Sequence, residues 1–325
     1  MIDFKDRDYV IINDDCLNTF KNIEDKSVDL VLIDPPYNIG KDKQWDKWKT
    51  VNAYVEFMGE VFKECQRVLK DNGSFYFFHN DFLQIVELQN YINKNTNFVF
   101  KQLLVWNKRF NGSSLKGYFD GHCAVNGLRN YKQMVEYCLF YTFQDETGLK
   151  VVDNNLELYK PIRDYFRDER KKTNLTYKDL NELMGVATNG GGMASNILTS
   201  YKKGWTFPTK EKYELLQTTG ICQKPYEELR QEYEGLRYTF NNLKEHHSVM
   251  NYEVAKKQGH ITPKPVDLLE YIVKTSSNEG DIVLDCFMGS GSTGVACLNT
   301  GRKFIGIERE EKYFEISKKR LEEAK

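Results

Sequence analysis

The chain has 325 residues, a formal net charge of −1, and 29% charged and 14% aromatic residues. That balance is globular, which excludes a disordered chain, and it gives no global sign of a polyanion partner. The N-terminus M-I-D-F-K-D-R-D-Y has no apolar signal segment and no run reaches transmembrane length, while the 7 cysteines are scattered without a C-x-x-C pair; together these predict a cytoplasmic protein with no membrane and no metal.

In chain order, Y-V-I-I-N-D-D-C-L predicts a strand over Tyr9–Ile12 ending in two acids, and Leu17–Ile23 a short helix. V-D-L-V-L-I-D-P-P-Y follows. Val28, Leu30, Val31, Leu32 and Ile33 form a β-branched-rich run that reads as a strand buried on both faces. Asp34 stands at its carboxyl end, where an open parallel sheet places ligands. Pro35 and Pro36 lack an amide hydrogen and have a fixed φ, so the sheet cannot continue. Their carbonyls remain acceptors, and Tyr37 adds a flat aromatic face. A single Asp-Pro reads as a rigid helix-capping turn; all four residues at a strand end read as a site.

A polar loop, Lys41–Thr50, carries Trp45 and Trp48, either as a lid or as packing anchors. Ala53–Leu69 has helical periodicity, Asp71-Asn72-Gly73 predicts a turn, and Ser74–Phe78 a strand. Phe82–Ile92 reads as a helix, and Phe98–Trp106 and Met134–Tyr141 as strands. Between Lys101 and Lys132 lie six basic residues (Lys101, Lys108, Arg109, Lys116, Arg129, Lys132) against one acid, Asp120. With interleaved aromatics and glycines, this is either a phosphate-facing loop or a solvated one.

Leu158–Leu243 shows no strand pattern but a series of charged amphipathic helices. L-T-Y-K-D-L-N-E-L-M-G has Thr176 as N-cap and Gly185 as its stop. T-N-G-G-G-M-A-S-N then leads to a second short helix and the basic, aromatic K-K-G-W-T-F-P-T-K. The pair suggests a helix-turn-helix-like insert reading DNA through Lys202, Lys203 and Trp205; a helical spacer is the alternative. The α/β pattern resumes with a helix over Pro265–Thr275, strands over Ile282–Leu284 and Phe304–Ile307, and helices over Thr293–Leu298 and Glu311–Ala324. These readings divide the chain into 1–150, 151–255 and 256–325, an α/β fold with a mostly parallel sheet and a mainly helical insert.

D-C-F-M-G-S-G-S-T-G, Asp285–Gly294, contains G-x-G-x-x-G, and Glu308 lies about 20 residues beyond its first glycine. A nicotinamide-dependent oxidoreductase would need a strand running almost directly into that glycine and a pyrophosphate at the helix N-terminus. Here Asp285, Cys286, Phe287 and Met288 intervene. An acid at the strand tip repels a pyrophosphate and suits an ammonium group. S-adenosylmethionine, cationic and without phosphate, meets these demands, with Glu308 taking the ribose hydroxyls.

D-P-P-Y at 34–37 together with F-M-G-S-G at 287–291 resembles the amino-group DNA methyltransferases, specifically the adenine-N6 branch. The order, with the catalytic motif first and the cofactor motif last, resembles their β class. N-D-D-C-L at 13–17, L-L-V-W-N-K at 103–108, V-E-Y-C-L-F-Y at 135–141 and H-I-T-P-K-P at 260–265 resemble further segments of that family. The glycine-rich helical insert resembles those of phage and mobile-element methyltransferases. The resemblance implies a Rossmann-like fold and a site-specific adenine-N6 methyltransferase, as found in restriction-modification systems, acting by base flipping on double-stranded DNA. The oligomeric state, homodimer included, stays open. By resemblance, Asp34 and the Pro35 carbonyl accept the two amino hydrogens, Pro36 stiffens the turn and Tyr37 stacks on the base. Asp15, Cys16, Lys264, Asp285, Phe287, Gly289, Gly291, Ser292, Thr293 and Glu308 would surround the cofactor. Trp45, Lys108, Arg109, Lys116, Arg129, Lys202, Lys203 and Trp205 would face DNA. Cytosine-N4 methylation, which usually has serine in place of the first acid, is the nearest alternative.

Overall fold

The computed structural model describes residues 2–5, 7–40, 46–113, 133–143, 159–186, 192–199, 205–241, 243, 247–255 and 263–324. The chain divides into two compact units, one of Met1–Thr147 with Tyr238–Lys325, the other of Gly148–Arg237. Among the described residues no helix is long and apolar enough to cross a membrane.

The larger unit is built on a sheet whose described strands are β1 (Tyr9–Asn13), β2 (Val28–Ile33), β3 (Leu69–His79), β4 (Val99–Asn107), β5 (Val135–Thr142), β6 (Val249–Asn251), β7 (Ile282–Asp285) and β8 (Lys303–Glu308). Their order is β1-β8-β7-β2-β3-β5-β4-β6. Every pairing is parallel except those of β5, which runs against β3 and β4. The sheet is therefore mostly parallel, as the alternating pattern predicts.

Period-two alternation explains why both faces are buried. Val31 and Ile33 of β2 and Phe75 and Phe77 of β3 enter one apolar layer, under helices α2 (Val51–Val68) and α3 (Phe82–Asn95). Leu30 and Leu32, with Tyr76 and Phe78, enter the opposite layer, against α9 (Val266–Ser276) and α10 (Ser292–Asn299). A short α1 (Cys16–Thr19) follows β1, and α11 (Glu311–Glu323) closes the unit.

Three local expectations change. The expected Leu17–Ile23 helix is split into α1 and a 3₁₀ turn over Phe20–Asn22. The Asp71–Gly73 turn is an irregularity inside β3: the pairing Val28↔Leu69 jumps to Leu30↔Ser74, and a Cβ on Gly73 would lie 2.6 Å from the Leu69 side chain. Strand β6, in a stretch assigned to the insert, joins the sheet edge beside β4, so residues 238–255 go with the α/β unit.

The smaller unit contains α4 (Lys160–Arg170), α5 (Tyr177–Leu183), α6 (Gly192–Leu198), α7 (Lys210–Gln217) and α8 (Tyr226–Gly235). Thr176 caps α5 in a reciprocal capping box with Asp179, and Gly185 takes the left-handed conformation beyond its end (φ 63°). Phe166, Leu180, Ile197, Tyr213, Leu216 and Trp205 form its core. Trp205 corrects an expectation. It is 4% exposed and its indole N–H donates to the Ile197 carbonyl at 3.1 Å, so its side chain holds helices together and does not face DNA.

Candidate active site

Strands β2 and β7 are neighbours, yet the chain leaves β2 for β3 on one side and β7 for β8 on the other. That reversal is the topological switch point at which open α/β sheets bind ligands. A cavity of about 270 Å³ lies there, lined by Asp15, Cys16, Asp34, Pro35, Pro36, Tyr37, Lys264, Asp285, Phe287, Gly289, Ser292, Thr293 and Glu308. Sequence positions far apart thus meet in one cleft; of the ten candidate cofactor residues, Gly291 alone is outside that lining.

The glycine turn has a physical cause for each small residue. Gly289 and Gly291 have φ of 52° and 77°, a region that side chains rarely adopt. A Cβ on Gly291 would sit 2.9 Å from that of Ser317. Arg320 of α11 holds the turn from behind, donating to the Ser290 carbonyl at 2.6 Å and to the Ser292 hydroxyl at 3.1 Å. Asp285 accepts from the Phe287 amide at 3.0 Å and the Thr293 hydroxyl at 2.6 Å. Burial pushes its carboxyl up to about 7. Glu308 accepts from the Gly289 and Glu310 amides at 2.9 and 2.8 Å, and burial raises it as well. Asp15 is the N-cap of α1, accepting from the Leu17 amide at 2.9 Å.

The Asp34–Tyr37 turn is fixed by groups that sequence reasoning missed. The His79 Nδ1 accepts from the Asp81 amide at 3.1 Å, so its Nε2 carries the proton toward the Tyr54 hydroxyl, also at 3.1 Å. Tyr54 in turn donates to the Pro36 carbonyl at 2.7 Å. Burial lowers His79 to about 4, which keeps it neutral in this chain of donors. Gln84 donates to the Tyr37 carbonyl at 3.2 Å, and buried Asp46 accepts from the Asn38 amide at 2.6 Å, where the backbone takes a left-handed φ of 54°. Pro36's carbonyl is thereby occupied. That of Pro35, in the cleft lining, meets no hydrogen-bond donor among the described residues.

Two side chains stand differently from expectation. The Tyr37 ring, expected to stack on a base, is 6% exposed and packs at 4.8 Å against the His79 ring. Its hydroxyl donates to Asp34 Oδ1 at 2.5 Å, and burial with the Asp34 and Glu136 charges keeps it protonated far above the usual tyrosine range. Lys264, expected at the cofactor, is 6% exposed and places its ammonium on Asp34 and, at 3.2 Å, on Glu136. Burial pulls its pKa down, but the two carboxylates outweigh burial and the net shift is upward. Glu136 was legible only as a charge inside the apolar run V-E-Y-C-L-F-Y.

The DNA-facing candidates fare unevenly. Trp45, Lys116, Arg129, Lys202 and Lys203 lie outside the described residues. Lys108 pairs with Glu136, and Arg109 donates to the Phe110 carbonyl at 3.1 Å and the Ser113 hydroxyl at 3.0 Å, so both are engaged within the chain. Trp48 lines the cleft and packs against Tyr54 and Phe57 at 5.0 and 5.3 Å, an anchor at the cleft wall.

The DNA methylase family matches residues 28–319, which takes in both motifs and the sheet between them. The chain belongs to that family. It is 28% identical over 317 residues to the DNA adenine methyltransferase YhdJ of Escherichia coli (strain K12), covering 97% of this chain and 83% of that protein. It is 28% identical over 299 residues to the type II methyltransferase M1.MboII of Moraxella bovis, covering 92% and 90%. The crystal structure of an M1.HpyAVI–SAM complex shares the fold, with a TM-score of 0.50, 21% identity and coverage of 96% of this chain and all of that one. As a DNA methylase, the chain is an enzyme that uses S-adenosylmethionine as methyl donor. The cleft suits that cofactor: buried Asp285 and half-buried Glu308 offer charge to an ammonium and acceptors to hydroxyls, and Gly289 brings backbone without a side chain into the lining. The same acids oppose a pyrophosphate, which removes the oxidoreductase reading.

Proposed function

We propose that this methylase modifies the N6 amino group of adenine, in a specific sequence of double-stranded DNA, on a base flipped out of the stack. The observation that carries this is the pairing in one cleft of the Asp34 carboxylate and the Pro35 carbonyl with the cofactor acids Asp285 and Glu308. The bound cofactor supplies an electrophilic methyl group. Everything else falls to the chain. An adenine amino nitrogen is a poor nucleophile because its lone pair is delocalised into the ring. Asp34 accepts one amino hydrogen and the Pro35 carbonyl oxygen the other, which drives electron density onto N6. The proton that N6 loses goes to Asp34. Because the His79–Tyr54–Pro36 chain fixes the turn beforehand, little reorganisation is needed when the base arrives. An acid at position 34, not serine, favours adenine over cytosine N4, in accord with the name of the Escherichia coli relative.

The β-class motif order and target reading by the helical unit belong to the same proposal. So does a mobile-element origin. The deciding experiment incubates the protein with S-adenosylmethionine labelled in the methyl group and a mixture of duplexes, then hydrolyses the DNA to nucleosides. Label in N6-methyldeoxyadenosine supports the proposal; label in N4-methyldeoxycytidine selects the other amino-group chemistry.

A further inference from the structure

Asp34 stands at one end of a chain of charges that alternates in sign. Lys264 bridges Asp34 and Glu136, and Glu136 in turn is paired with Lys108. Tyr37 closes the ring: its hydroxyl oxygen lies 2.5 Å from Asp34 Oδ1, to which it donates, and 3.2 Å from Glu136 Oε2, while Lys264 donates to the Tyr37 oxygen at 3.0 Å. Lys264 and Glu136 are 6% and 4% exposed, and the Lys264 ammonium lies 5.1 Å from the centre of the Phe78 ring.

A buried ion pair is weak support for stability, since burial of its charges offsets their attraction. Its position beside the reacting carboxylate points to a role other than stability. Asp34 alone could rotate. Clamped by an ammonium on Oδ2 and a phenol on Oδ1, it has one orientation before a base arrives. Lys264 unopposed would add a positive charge where the amino nitrogen becomes positive. Glu136 cancels that charge, and Lys108, nearer solvent, balances Glu136. We infer that Lys264 and Glu136 are positioning residues for methyl transfer, holding Asp34 oriented while keeping the local charge neutral. This rests on the proposed role of Asp34.

The test uses the full chain with S-adenosylmethionine and duplex DNA, and three variants: Lys264→Met, Glu136→Gln and the charge-neutral double variant. Each single variant is expected to lose about 100-fold in kcat, the scale of a misplaced reacting group, with cofactor affinity by calorimetry unchanged. KM for the duplex should stay within about twofold in both, so that the loss falls on kcat. Melting temperature should fall in each single variant and recover in the double one, whereas kcat should stay low in the double variant. Recovery of both would show a purely structural pair and overturn the inference. So would wild-type kcat in folded single variants, or a loss confined to cofactor affinity. If the wild-type chain itself transfers no label to DNA, the proposed function fails instead.

Discussion

Asp285 is a carboxylate that the fold holds against its own charge: burial raises it from 3.8 to about 7, although Thr293 and the Phe287 amide pull the other way. Between those two values the folded chain binds more protons than the unfolded one, so the stability of the ligand-free protein falls as pH rises through that window. A cationic ligand responds with the opposite sign, because it binds the ionised form. Cofactor affinity should therefore weaken as pH drops through about 7. Asp285→Asn should flatten that profile and cost roughly 1.5–3 kcal/mol of binding at pH 8. Calorimetry from pH 5.5 to 8.5 measures both; a slope that survives the substitution would assign the titration to another group. At the reacting end, Asp34→Ala should abolish labelled methyl transfer while leaving cofactor affinity within about twofold, since its partners in the structure are Tyr37 and Lys264. Measurable turnover in that variant would take the amino-hydrogen role away from Asp34.

At the scale of elements, the cofactor cleft depends on how closely the turn between β7 and α10 can approach α11. Gly291→Ala meets two costs together, a left-handed φ of 77° and a Cβ–Cβ approach of 2.9 Å to Ser317. About 1–3 kcal/mol of destabilisation is expected from the backbone conformation, with more where α11 must shift. Denaturant unfolding gives the stability, and a parallel cofactor titration should show weaker binding, because the Gly289 amide on Glu308 belongs to the same turn. An alanine variant of wild-type stability would mean that α11 yields easily.

At the scale of the molecule, the two units call for different tests. Trp205 fills the core of the helical unit, so Trp205→Ala should cost about 3–5 kcal/mol there and leave cofactor affinity intact, because no cleft residue lies in that unit. A loss of cofactor binding would link the units in a way that their separate cores do not. For DNA, replacing Lys202 and Lys203 together by alanine should lower the salt slope of duplex binding by about one unit for each phosphate that the variant no longer neutralises. An unchanged slope in the folded variant would move DNA binding to the basic stretch between Lys101 and Lys132.

The sequence alone determined what depends on near neighbours along the chain. Apolar alternation, the proline pair after Ile33 and the glycines after Asp285 restrict a few consecutive residues by sterics and hydrogen bonding, so they could be read without a fold. Even the capping box at Thr176 follows from four adjacent residues. Partners across the fold were beyond that reach. Lys264 and Tyr37 are 227 positions apart, and only the strand order and the packing of the β2 and β7 ends bring them together. Glu136 shows the same limit, since a carboxylate within an apolar strand announces a buried partner without naming it. Trp205 shows it in reverse: beside two lysines it reads as a surface aromatic, and helix packing turns it inward. Tertiary structure decided these positions because burial and charge pairing are set by the neighbours in space, which local sequence does not specify.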